Sequence, residues 1–142
     1  MNEQAVPGLL DHVLVPISGE EDARRTALAL EPYEPGRVTV LFVVEKADGA
    51  PDSMSVEQAE GLASDSFGAF RAVVTDIEEE VAYDSNVVET IFESAEEIGA
   101  SSVVFTTRGG GSIIRLLTGD TARKLVTEND LPVISLPRSD ET

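Results

Sequence analysis

The segment His12-Val13-Leu14-Val15-Pro16-Ile17, followed at once by Ser18-Gly19-Glu20-Glu21-Asp22, decides how this chain folds. After His12 the run is continuously apolar and rich in branched side chains, the pattern of a strand covered on both faces, because a strand with one wet face alternates. Ser18-Gly19 ends it. Three acids then open a helix at the end where the helix dipole favours negative charge. Ala23, Ala27 and Leu30 give that helix its apolar stripe, and Pro32 and Pro35-Gly36 close the segment. Val38 to Val44 (VTVLFVV) is a second buried strand, so strands joined through a helix run parallel.

The same alternation continues outward. Lys46 to Ser55 reads as a loop, and Val56, Ala59, Leu62, Phe67, Phe70 and Val74 follow at helical spacing, weakened by Gly61 and Gly68. Ile77 to Tyr83 (IEEEVAY) alternates instead, with Ile77, Val81 and Tyr83 on one face and Glu78 and Glu80 on the other. This predicts an edge strand whose charges discourage pairing. Asp84-Ser85-Asn86 offers a cap to a helix through Val88, Ile91, Phe92, Ala95 and Ile98, and Gly99 stops it. Val103-Val104-Phe105 and Val133 to Leu136 complete five strands. The prediction is one α/β domain over 1–142, a doubly wound, Rossmann-like five-stranded parallel sheet with helices on both faces, core 10–138 and an acidic tail 139–142.

Composition narrows the partners. The 142 residues are 42% hydrophobic, enough for one core, and carry 27 Asp+Glu against 10 Lys+Arg for a net charge of −17. Such a surface repels phosphate backbones and anionic lipid, which argues against nucleic acid and membrane. Eight arginines accompany only Lys46 and Lys124; scarce lysine and abundant acid suit a protein that stays hydrated in concentrated salt, a halophilic reading. With no cysteine, disulfides, thiolate catalysis and thiolate-bound metals are excluded. The first ten residues have neither a basic n-region nor an apolar core, so a cytoplasmic protein is expected.

Ligands of open parallel sheets sit outside the carboxyl ends of the strands, where the direction of connection switches. Two loops lie there: Ser18-Gly19, and Thr106-Thr107-Arg108-Gly109-Gly110-Gly111-Ser112, whose consecutive glycines let backbone N–H groups converge on an anion. Between Thr106 and Arg138 five basic residues face three acids, the one cationic region of the chain. His12, the single histidine, enters strand one at the opposite end and reads as a surface residue, and no Ser-His-Asp arrangement is suggested. Glu78-Glu79-Glu80 divides its side chains over two faces and reads as a solvated edge, with no metal site expected.

Leu14-Val15-Pro16-Ile17, Val40-Leu41-Phe42-Val43-Val44, the run Gly99 to Gly109 (GASSVVFTTRG), Leu116 to Val126 (LLTGDTARKLV) and Asp130-Leu131-Pro132-Val133-Ile134 resemble the universal stress protein family. The resemblance implies a sheet similar to that of the adenine nucleotide alpha hydrolases and a homodimer paired through the last strands, Val133 to Leu136. The family divides into members that bind ATP and members that do not, and the binding pattern is G-x2-G-x9-G-S/T. Gly109 and Gly119 hold its second and third glycines, with Thr121 after them. Thr106 stands at the first glycine and Asp120 at the hydroxyl position. The family's aspartate ending strand one falls on Ser18, and a backbone-mediated contact ending strand two falls on Val43. Arg108 is a further candidate for phosphate.

These departures predict weakened nucleotide binding. A carboxylate at about 4 Å from a phosphate is repelled by about 4 kcal/mol at an effective dielectric of about 20. Asp120 also suits the N-cap of a helix Thr121 to Val126, where it would take the N–H groups a phosphate needs. The leading reading is a non-catalytic, dimeric regulatory module without tight ATP binding and without a cofactor. The alternatives are an ATP-binding or other nucleotide-binding switch built on the 106–121 loop, and a small nucleotide-hydrolysing enzyme.

Overall fold

The computed structural model describes residues 8–45, 56–84, 86–106, 126–128 and 131–137. Its elements run β1 (His12–Ile17), α1 (Glu20–Leu30), β2 (Arg37–Glu45), α2 (Val56–Arg71), β3 (Glu78–Asp84), α3 (Val87–Ile98), β4 (Ser102–Thr106) and β5 (Val133–Leu136), with a 3-10 turn at Glu31–Tyr33 after α1. All five strands are parallel, in the order β3-β2-β1-β4-β5. The expected loop 46–55 and most of the expected helix Thr121 to Val126 lie outside the described residues; residues 126–128 are helical.

β1 is the centre of the sheet, and all six of its residues are buried. Its two faces feed two cores. Val13, Val15 and Ile17 pack with Ala27 and Leu30 of α1 and Phe70 of α2, while Leu14 packs with Leu41, Val103 and Ile91 of α3. A continuous apolar run is therefore required: each successive side chain meets a different helical layer. Val88 and Phe92 extend the α3 side onto Val126, Leu131 and Val133.

The helix ends follow the sequence signals. Asn86 Oδ1 accepts from the Glu89 N–H at 3.2 Å, and Thr90 Oγ1 donates to the Asn86 carbonyl at 2.9 Å. Gly99 ends α3 in the left-handed region (φ 71°), and the Ala100 N–H returns to Ala95 O at 2.9 Å. α2 forms through Gly61 and Gly68 because Ala63, Phe67 and Phe70 bury its other face.

The edge strand corrects one expectation. β3 is an outer strand and its two faces divide as predicted, but their burial does not. Glu80, expected as part of a solvated edge, is partly buried toward α3, whereas Val81 and Tyr83 on the opposite face remain 38% and 39% exposed. In register Val81 stands beside Phe42 and Tyr83 beside Val44, on the α1/α2 side, and at the sheet's margin they are left open. Glu78 is paired with Arg37 of the neighbouring strand and Glu79 with Arg71 at the end of α2.

Gly36 donates its N–H to Leu10 O at 2.8 Å, and a side chain there would be driven into the Asp11 carbonyl oxygen. Gly68 has open space around its Cα. Thermal unfolding should show Gly36→Ala destabilised by about 1–3 kcal/mol and Gly68→Ala stabilised by about 0.5–1 kcal/mol. Equal effects at the two positions would contradict this packing.

Candidate functional site

The strand order reverses direction at β1, which has β2 on one side and β4 on the other, so the crevice opens between the carboxyl ends of β1 and β4. Ser18 leaves β1 there and Thr106 is the last residue of β4. Val43 lies on β2 one step past the level of Ile17, its side chain packed on the α3 side of the sheet. Three of the sequence-predicted residues thus converge on one edge. Arg108, Gly109, Gly119, Asp120 and Thr121 lie outside the described residues.

A residue that the sequence reading passed over organises this edge. Asp22, on the first turn of α1, folds back so that Oδ2 accepts from the Ser18 N–H at 2.9 Å and from Ser18 Oγ at 3.2 Å. Gly19, the N-cap, has no side chain to satisfy the helix end, and its carbonyl accepts the Ala23 N–H at 2.9 Å. The third residue of the helix therefore reaches back over the cap, much as the acidic member of a capping box does. An acid three positions after the cap was the available signal; Glu20 and Glu21 beside it concealed which acid turns inward.

Thr26 carries the network across the crevice. Its Oγ1 donates to the Asp22 carbonyl at 2.8 Å and lies 3.4 Å from Asp22 Oδ1. Thr106 Oγ1 is also 3.4 Å from Thr26 Oγ1. With the single Thr26 proton directed to the carbonyl, Thr106 is left as donor in that long bond. Thr106 is 2% exposed, so its hydroxyl faces α1 and not the solvent. Ser18, Asp22, Thr26 and Thr106 form one chain linking β1, α1 and β4. It consists of one carboxylate and three hydroxyls, with the Ser18 hydroxyl donating to Asp22.

The opposite end of the sheet corrects the expectation for His12. It is 7% exposed, not a surface residue, and Nε2 lies 3.0 Å from Thr39 Oγ1. Thr39 Oγ1 donates to Glu78 Oε1 at 3.2 Å, so the imidazole supplies the proton between His12 and Thr39. Arg37 donates to both oxygens of Glu78 at 2.8 Å, which holds that carboxyl below the usual carboxylate range. Burial lowers the His12 pKa, the Arg37 charge adds to this, and Glu78 opposes it. Among the described residues no group of three His, Asp or Glu is placed to hold a metal ion.

A family model for the universal stress protein family matches residues 10–137. The chain belongs to that family. No curated protein sequence matches it. Among solved structures it is similar to the universal stress protein from Archaeoglobus fulgidus in complex with dAMP, at 19% identity and TM-score 0.61 over 91% of this chain and 99% of that one. It is similar to a universal stress protein family member from Burkholderia pseudomallei, at 23% identity and TM-score 0.60 over 92% and 99%. A universal stress protein in complex with cAMP aligns at 18% identity and TM-score 0.57 over 92% and 98%. At these identities the structural likeness carries the fold, and the doubly wound architecture of this universal stress protein matches theirs. No helix among the described residues is long and apolar enough to cross a membrane.

The buried imidazole gives a direct measurement. As the only histidine, His12 should titrate by NMR below the usual value of 6.5, and Arg37→Gln should raise it. A depressed folded-state pKa means stability present above the unfolded value and lost as pH falls through the folded one, a loss that His12→Gln should remove. Titration at or above 6.5 would contradict the arrangement.

Proposed function

We propose that this universal stress protein is a non-catalytic stress-response or regulatory module, dimeric, whose crevice does not hold ATP tightly. The observation that carries the reading is the Ser18–Asp22–Thr26–Thr106 chain. The Ser18 N–H and hydroxyl, which a ligand entering at β1 would need, are taken by Asp22, and the Thr106 hydroxyl is turned to Thr26. Glu20, Glu21 and Asp22 crowd the first turn of α1 with negative charge, which opposes an incoming phosphate. Asp120, as cap of the following helix, would act in the same sense. β5 is an outer strand with Val133 and Ile134 only partly buried, which supports pairing of two copies through Val133 to Leu136. The charge of −17 supports a halophilic cytoplasm as the setting.

The second reading is a nucleotide-binding switch on the 106–121 loop, favoured by the dAMP and cAMP complexes of the two similar structures. Thermal unfolding in molar salt, with and without millimolar magnesium-ATP, ADP or AMP, separates the two. The proposal predicts unchanged unfolding. A ligand at about 100 times its Kd would add about 2.7 kcal/mol of stability, and such an ATP-dependent shift would replace the first reading with the second.

A further inference from the structure

We propose that the open edge of β3 is a docking site for an extended basic segment of a partner protein, which adds to the sheet as a further parallel or antiparallel strand. β3 runs seven residues, Glu78–Asp84, and along its whole length pairs only with β2; no strand among the described residues covers its other side. Its unpaired backbone groups are a template for strand addition. Two of the four large hydrophobic side chains that stand exposed among the described residues, Val81 and Tyr83, lie on this one strand and on one face of it. They offer an added strand apolar cross-strand neighbours.

The charge on the other face specifies the partner. Glu78 is matched by Arg37, and Glu79 by Arg71 on the α2 side, but Glu80 has no cation among the described residues. One oxygen of Glu80 is shut away from solvent without a hydrogen-bond partner among the described residues, and the negative charges of Glu97 on α3 and Glu78 on its own strand bear on it. The group is partly buried, like-charged on both sides and placed at the margin where a new strand would lie. A lysine or arginine opposite it relieves that repulsion. A second copy of this chain paired antiparallel along the full strand would set Glu78 against Asp84 and only Ala82 against Glu80, so self-pairing adds like charge and brings Glu80 no cation, whereas a basic partner does. This inference is independent of whether the crevice binds nucleotide.

The test uses the full chain at the lowest salt in which it stays folded. The probe is a synthetic strand-length peptide alternating lysine with valine, compared with its glutamate-for-lysine counterpart and with a version whose valines are replaced by proline. The expected result is binding of the lysine peptide alone, with amide shifts and exchange protection along residues 78–84. The nearly isosteric Glu80→Gln should weaken it roughly tenfold while leaving the fold intact. Equal binding of the proline peptide would reduce the effect to diffuse charge attraction and overturn the proposal. Shifts centred elsewhere, an unaltered affinity in Glu80→Gln, or self-association through β3 would overturn it equally.

Discussion

Burying β1 on both faces constrains the rest of the molecule. Once Val13, Val15 and Ile17 commit to α1 and α2, and Leu14 to α3, the strand can have no wet face, and its backbone must be paired on both sides by β2 and β4. The parallel order, the two helical layers and the position of the crevice follow from that. The polar groups where β1 ends also have to be satisfied, because the chain turns sharply into α1 at Ser18-Gly19. Asp22 meets that requirement from inside the protein.

This gives the crevice its character. A doubly wound sheet leaves backbone donors at its switch point, and a ligand or the chain itself can use them. Here a carboxylate four residues along the chain has taken the Ser18 donors, and the two threonines fasten α1 to β4 across the opening. The family fold is retained while the Ser18 donors are occupied. Ligand chemistry and fold are separable in a sheet of this kind, because the sheet depends on apolar strands and a ligand on a handful of polar groups at one edge.

The elements with strong local signals could be read from the residues alone. β1 coincides with the His12–Ile17 run, α1 with its acidic opening, and α3 lies between the Asn86 cap and the Gly99 stop. What was not legible depends on depth and distance. His12 looked superficial because it begins a strand, yet Thr39 from the neighbouring strand covers it through a contact 27 residues away in the chain. Alternation in β3 identified its faces, but not that Val81 and Tyr83 stay exposed while Glu80 is partly buried. The role of Asp22 was hidden among three adjacent acids, since helical periodicity does not say which side chain bends back toward the N-terminus.

The central claim is that Asp22 holds the donors at the mouth of the crevice, and hydrogen exchange at the Ser18 amide tests it most directly. The account predicts slow exchange in the native chain, unaltered by magnesium-ATP, and marked acceleration in Asp22→Ala at a pH where both proteins remain folded. Exchange as fast as an open loop in the native chain, or protection that arises only when nucleotide is added, would contradict it.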